Sequence, residues 1–469
     1  MKKRLLKRIK MNFKHFILIA GIAGILISCH STRPFSRETV SGGLFGEAVV
    51  ADTATMANTP WQDLFTDPLM KNLIEEGLHN NPDLQIAVQR VIAAEAYSAQ
   101  GRASLFPSFT VQGGGGYVRN PETLYPDGPR EVKDFQLNLQ TSWEADIWGK
   151  LRSSKRAAYA GVLAGEAGRK AVQTSLIATI ANAYYSLLAL DEHLAITRET
   201  VQNSIDLAET MKALKSSGLV TGAAVVQTEA LRYATEVTIP DLEQSIRETE
   251  NSLCLLLGRT PGHIKRSTLS VQESPELTNT GVPAQLLDNR PDVMQSEYAL
   301  ISAYELTNSA RASFYPSLTI TALAGFESAD LDQMLDPVAF AANVIGGLTA
   351  PVFNKRANVT RLKVAKAQQE EARISFRNTL LNAGREVNNA LSQHEASREK
   401  ILLRQKQLDA LQKSVSYTKE LLRYGSATYT EVLDAQQNLL RAQIGYVNDH
   451  LQKLTSVVSL YRALGGGWK

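Results

Sequence analysis

Between Phe135 and Glu144 the chain alternates strictly, with Phe135, Leu137, Leu139, Thr141 and Trp143 on one side and Gln136, Asn138, Gln140, Ser142 and Glu144 on the other. Period two over about ten residues, one face apolar and one polar, predicts a strand of the length that crosses an outer membrane. Three more segments predict strands around it. They are 108–117, 317–326 (Leu318, Ile320, Ala322, Ala324 and Phe326 on one side) and 338–349. Tyr117, Trp143, Trp148, Phe326 and Phe353 fall at or near strand ends, where interfacial aromatics belong. Pro107 and Pro316 close the helix before each strand pair, and 118–132, with Asn-Pro, Tyr-Pro and Asp-Gly-Pro, reads as a long exposed turn.

Elsewhere the spacing is three and four. Ile180, Ala183, Leu187, Leu190, Leu194, Thr197, Val201, Ser204, Ala208 and Met211 keep a heptad, and so do Leu440, Ile444, Val447, Leu451, Leu454, Val458 and Tyr461. Proline is absent from 147–215 and from 354–423. This predicts long coiled-coil helices, each a rod of roughly 100 Å at ~1.5 Å per residue. Each ends at a tight break, Ser216-Ser217-Gly218 or Tyr424-Gly425-Ser426, after which a helix returns antiparallel. The fold class is mainly α with a transmembrane β-barrel, four strands and long helices per chain.

The whole pattern is written twice. Residues 80–110 align without a gap on 289–319, pairing Pro82 with Pro291, Asp83 with Asp292, Arg102 with Arg311 and Pro107 with Pro316. Later Gly218 pairs with Gly425, Val225 with Val432, Leu257 with Leu464 and Gly258 with Gly465. A period near 200 residues is a duplicated domain-sized unit rather than a solenoid.

The first fifteen residues hold seven Lys and Arg and no acid, and an apolar run follows from Phe16 to Ile27. That run is too short for a bilayer core of ~30 Å but suits a secretory signal. It ends Leu26-Ile27-Ser28-Cys29, the pattern cut by lipoprotein peptidase, so Cys29 is the expected acylated residue. His30 replaces the acid of the usual inner-membrane retention signal, which points to the outer membrane. Of 50 Lys and Arg, 43 remain beyond the signal against 47 acids, a mature net charge of −4 and no footprint for nucleic acid. Cys254, alone in the apolar SLCLLLG, is expected as a buried thiol.

Four strands cannot close a barrel, and an open edge in lipid leaves backbone groups unpaired at several kcal/mol each. Two copies would give eight strands with a filled interior, three copies twelve with room for a lumen. The polar inner face favours the lumen, and hence a homotrimer.

At this point the chain resembles the TolC-type outer-membrane efflux family, in its lipoprotein branch serving resistance-nodulation-division pumps. The residues that carry the resemblance are Trp143 to Arg152 (WEADIWGKLR), Asn289 to Val293 (NRPDV), Ala310 to Pro316 (ARASFYP), Arg423-Tyr424-Gly425 and Glu431 to Gln436 (EVLDAQ). It covers about residues 60 to 465. It implies a trimeric twelve-stranded barrel on a twelve-helix periplasmic tunnel. The partners it implies are outer-membrane lipid, a periplasmic adaptor and an inner-membrane pump, with no cofactor and no metal. The implied organisation is 1–28 signal peptide, 29–80 N-terminal equatorial segment, 81–258 first repeat, 259–288 linker and equatorial segment, and 289–469 second repeat. Within the repeats the long helices fall at 147–215 and 354–423, with return helices at 221–257 and 428–463. Short helices near 81–105 and 290–314 are expected to stack on the return helices end to end.

Two groups of candidate residues follow. Glu431 and Asp434 share a helix face at i and i+3 just after the second break. The resemblance implies that such a pair rings a periplasmic constriction and favours cations, whereas the residues alone also suit an ordinary acidic helix start. Ala427 and Ala224 stand where better-known relatives have an arginine and an aspartate, so closure is expected to rest on Tyr424 and Arg423. The tips, Gly218-Leu219-Val220-Thr221-Gly222-Ala223 and Gly425-Ser426-Ala427-Thr428, are the expected adaptor contacts, although glycine at such breaks is also plain turn chemistry.

No enzyme signature stands out: there is no GxxxxGK[ST] or HExxH, and the seven histidines are scattered. His193 and His394 read as ordinary surface residues. The expected function is a passive exit duct. A periplasmic coiled-coil adaptor or scaffold lipoprotein is the alternative, and the lipid-type strand 135–144 argues against it.

Overall fold

The computed structural model describes residues 34–36, 56–121, 123, 130–273 and 286–469. The expected signal peptide and Cys29 lie outside them. Two compact units emerge, each drawing on both repeats. The first is built from Val91–Ala164 and Ser296–Phe376 with the short piece 34–36, the second from residues 56–90, Gly165–Gln295 and Arg377–Lys469. The α-helices are α1 (Trp61–Leu64), α2 (Pro68–Asn80), α3 (Pro82–Ala103), α4 (Lys150–Ser216), α5 (Gly222–Glu236), α6 (Thr238–Leu256), α7 (Leu286–Asn289), α8 (Pro291–Ala312), α9 (Ala357–Arg423) and α10 (Tyr429–Ala463). Among the described residues no helix is long and apolar enough to cross a membrane.

The first unit holds one sheet, β1 (Ser108–Arg119), β2 (Glu131–Ala145), β3 (Ser317–Ser328) and β4 (Phe340–Thr349), antiparallel in chain order. Its register stacks like on like. Phe109, Thr141, Ala322 and Val344 form one row, and Val111, Leu139, Ala324 and Ala342 the next. Because side chains alternate, Gln112, Asn138, Gln140 and Asn343 share the opposite face. Phe109 and Val111 are each 69% exposed, so the apolar face has no protein core beneath it. Every residue of β1 is exposed, and so is nearly all of β4; these two strands are the open edges.

Every strand departs from the sequence pattern at one end or both, and β3 runs on to Ser328. β1 and β2 run on into the expected turn until Arg119 faces Glu131. β4 starts at Phe340 because Pro337–Ala339 forms a 3-10 turn, and proline has no N–H to give a ladder.

The strand-to-helix junction joins the two repeats. Asp146 accepts from the backbone N–H groups of Leu151 and Arg152, which anchors the start of α4, and Lys150 pairs with Glu144 at 2.6 Å. Trp148 stacks on Tyr315 (4.9 Å between centroids) and donates from Nε1 to the Pro316 carbonyl at 2.7 Å.

In the second unit, Trp61, Phe65, Met70 and Ile74 pack with Ile177, Ile180, Tyr184 and Leu187 of α4, Leu253 of α6, and Leu454, Val458 and Tyr461 of α10. The heptad positions Ile180, Leu187 and Met211 are fully buried. Cys254 is buried here and donates to the Gly262 carbonyl at 3.4 Å. Asp67 accepts from Tyr184 Oη (2.6 Å), Gln272 Nε2 (2.9 Å), the Leu69 N–H (2.8 Å) and the Ser267 hydroxyl.

The first return helix, expected unbroken over 221–257, is instead two helices that meet at Val237. Pro240 explains the joint, since it cannot donate to the carbonyl of Glu236 and its ring crowds that turn. α10, with no proline, runs 35 residues without interruption. His193 and His394 are half-buried rather than surface residues, and burial lowers the pKa of both.

Candidate functional site

The two helical breaks are built alike. Gly218 and Gly425 adopt φ of +80° and +69°, the left-handed conformation that glycine enters without steric cost. In the first, the Leu219 N–H bonds the Leu214 carbonyl and the Gly218 N–H that of Lys215. In the second, Ser426 bonds Leu421 and Gly425 bonds Leu422. This is the Schellman pattern, which satisfies the last carbonyls of a long helix while reversing the chain. Threonine starts each return helix: Thr221 accepts from the Ala224 N–H, and Thr428 from the Glu431 N–H.

Apolar residues from four helices hold the tips together. Leu207 and Met211 of α4, Val225 of α5, Leu422 of α9 and Val432 of α10 form one buried cluster, with Leu214, Val220 and Tyr429 against it. Lys212 of α4 and Glu229 of α5 pair at 2.9 Å on the solvent side. Their hydrogen bond raises the lysine pKa and lowers the glutamate's.

A groove of about 460 Å³ opens between the tips. Leu219, Val220 and Thr221 line it from the first tip; Arg423, Tyr424, Gly425, Ala427 and Thr428 line it from the second. Of the expected tip residues, Gly218, Gly222, Ala223 and Ser426 do not line it. Leu219 and Tyr424 are 70% and 77% exposed, so the tips present bare apolar surface. The tips differ in bulk: the repeat alignment sets Arg423, Tyr424 and Tyr429 against Ser216, Ser217 and Gly222. Tyr429, which lines the groove, was not singled out from the sequence, yet that alignment marks it.

Glu431 and Asp434 are exposed and line no part of the groove. They are not equivalent. Glu431 Oε2 accepts from the Thr428 N–H at 2.7 Å, completing a capping box in which each residue satisfies the other's backbone. The Asp434 carboxylate, one turn on, makes no hydrogen bond or ion pair with the described residues. One acid is committed to starting α10; the other is free for solvent, ions or a neighbour.

A profile of the outer membrane efflux protein family matches residues 73–259 and 282–466, one stretch for each repeat. The cation efflux system protein CusC of Escherichia coli O6:H1 is 28% identical over 460 residues, covering 97% of this chain and 98% of its own. The probable outer membrane lipoprotein SilC of Salmonella typhimurium is 29% identical over 466 residues, covering 97% and 99%. A crystal structure of CusC superposes with a TM-score of 0.83 at 26% identity, over 94% of this chain and all of that one.

Proposed function

The chain belongs to the outer membrane efflux protein family, and from that membership we infer an outer-membrane exit duct of a tripartite efflux system, conducting substrates passively from an inner-membrane pump to the exterior. The sheet carries this reading. Its apolar rows align on one face, while the other face is polar along β1 and β2 and mixed along β3 and β4, where Leu323 and Ile345 join Thr321 and Asn343; this two-faced wall suits lipid outside and water inside.

The open edges β1 and β4 support a homotrimer, because three copies supply twelve strands and close a water-filled barrel. The partners are a periplasmic adaptor and an inner-membrane pump of the resistance-nodulation-division type. The adaptor seats on the tips, where the groove and the exposed Leu219 and Tyr424 offer apolar contact. Asp434, with Glu431 behind it, rings the periplasmic constriction, and Arg423 and Tyr424 help to close it. The Leu26-Ile27-Ser28-Cys29 sequence and the likeness to a probable outer membrane lipoprotein support an acyl anchor on Cys29.

Planar-bilayer recording tests the duct. Purified protein should give discrete cation-favouring conductance steps, more frequent when Tyr424 is replaced by alanine. Protein that never conducts, even with the tips destabilised, would overturn the reading.

A further inference from the structure

We propose that Tyr304 moors the segment that follows the acylated cysteine, so that the lipid anchor and the barrel strands are held at one level. This rests on the lipoprotein reading above. Tyr304 lies half-buried on α8, and its hydroxyl donates to the Pro34 carbonyl at 3.1 Å. The ring of Phe35 meets the Tyr304 ring edge to face, with centroids 5.6 Å apart and planes at 75°, the geometry that the ring quadrupoles favour. The contact joins residues 270 positions apart in sequence.

The residues of α8 around Tyr304 are taken up by its helical neighbours. Ser302 donates to the Ala157 carbonyl and Glu305 pairs with Arg156 at 2.8 Å, both on α4; Thr307 donates to the Ala365 carbonyl on α9. Tyr304 instead takes the 34–36 piece.

Chain length gives the contact its consequence. Cys29 precedes Pro34 by five residues, a reach of at most ~17 Å. From Tyr304 to the end of α8 at Ala312 is about 12 Å along the axis, and β3 opens at Ser317. An acyl chain on Cys29 can therefore enter the periplasmic leaflet beside the strand starts, but not far from them. The mooring removes slack between anchor and barrel.

The test uses the full-length protein assembled in the outer membrane and then extracted into detergent micelles, which leave its periplasmic face open to protease. Trypsin cannot use the Arg33–Pro34 bond but can cut at Arg37–Glu38, whose opening the mooring should suppress. Phe35→Ala and Tyr304→Ala should each raise the cutting rate there by about tenfold or more, and Tyr304→Phe, which keeps the ring pair, by only about twofold to fourfold. Equal rates in wild type and both alanine variants would overturn the mooring. Should Tyr304→Ala fail to assemble, Phe35→Ala, outside every helix and strand, decides alone. Mass spectrometry of the N-terminal peptide is read alongside. An unacylated wild-type Cys29 would sink the anchor and the levelling role built on it, while the protease comparison still tells whether Tyr304 holds the segment.

Discussion

Asn81 and Arg290 stand at one position of the two repeats and each donates to the matching carbonyl of its own return helix, Leu256 O at 2.9 Å and Ala463 O at 2.8 Å. Gly258 and Gly465, both left-handed, back onto the carbonyls of Asn80 and Asn289 at the same two places. Each short helix thus begins where its return helix stops, joined by one side-chain bond and one close backbone approach. The chemistry has diverged: Asn81 also caps α3 by accepting from the Leu84 N–H, whereas Arg290 pairs with Asp292 and Glu386.

Replacing these residues should separate the junctions by stability. Asn81→Ala loses a cap and one hydrogen bond, about 1–2 kcal/mol. Arg290→Ala strands two carboxylates and a carbonyl, a larger loss of about 2–4 kcal/mol, below the usual figure for a fully buried pair. The discount reflects Asp292 and Glu386, which stay 42% and 31% exposed. Thermal unfolding should rank Arg290→Ala below Asn81→Ala, and the reverse order would refute the assignment.

The left-handed glycines should fall into two classes. At Gly218 and Gly425 an added Cβ meets open space, so alanine costs only the backbone strain, about 1–2 kcal/mol. At Gly258 and Gly465 the Cβ would overlap a backbone carbonyl that cannot move aside. Gly258→Ala and Gly465→Ala should lower Tm clearly more than Gly218→Ala and Gly425→Ala do.

Much of this was legible in the chain because the governing periods are simple. Strict alternation gave the strands, and heptads without proline gave the long helices. The joint at Val237 escaped because 221–257 was carried over whole from the layout that the resemblance implies, without weighing Pro240, whose missing donor breaks the helix locally. Thr428-Tyr429-Thr430-Glu431 spells a capping box, a local signal for Glu431 that the wider i, i+3 reading passed over. The alignment pairs Asn81 with Arg290, but their shared hydrogen bond could not be read from it, since the repeats keep the bond and not the residue. The contact of Trp148 with Tyr315 needed the fold to bring the repeats together.

In the proposed gate Asp434 and Glu431 play different parts. Such a gate would bring six carboxylates of the trimer together, and charges a few ångströms apart interact by several kcal/mol at an effective dielectric near 20. Asp434→Asn should lower cation selectivity and relieve block by divalent or trivalent ions. Glu431→Gln keeps the capping box and should leave helix stability nearly unchanged, while Glu431→Ala loses about 0.5–1 kcal/mol with the box. Unchanged reversal potential and ion block in the Glu431→Gln, Asp434→Asn double variant would place both acids off the conduction path.

Acid should loosen the second unit, which holds Asp67 and Glu250 in their charged forms. Burial raises the Asp67 pKa, but hydrogen bonds from Ser267, Tyr184, Gln272 and the Leu69 N–H outweigh it and hold the group below the ordinary 3.8. Burial likewise opposes, and Arg266 and the Ile264 N–H overcome, in keeping Glu250 below 4.5. Both folded values lie below the unfolded ones, so their stabilisation is complete above those figures and is lost as pH falls through the folded values. Tm should stay level down to about pH 5 and decline below about pH 4. Asp67→Asn should be less stable at neutral pH and show a shallower acid decline; an unchanged profile would remove Asp67 from the account.

Cys29→Ser should abolish lipoprotein processing, seen as a precursor of higher mass or a cut at another bond. Because the strands themselves enter the membrane, part of the transport should persist. A wild-type N-terminus elsewhere than Cys29 would end the lipoprotein assignment.

The bare edges of the sheet also bear on time. Until other copies and lipid arrive, β1 offers a row of unsatisfied donors and acceptors to any passing chain, which is how extended segments clump. Four consecutive glycines, Gly113 to Gly116, sit in the middle of that edge. Glycine adheres poorly as a lone strand and loses the most freedom on being fixed, so chance encounters with foreign strands are short-lived. The wall is slow to stick to the wrong neighbour and becomes firm only when the right one completes it, a bias toward patience during the journey from secretion to assembly.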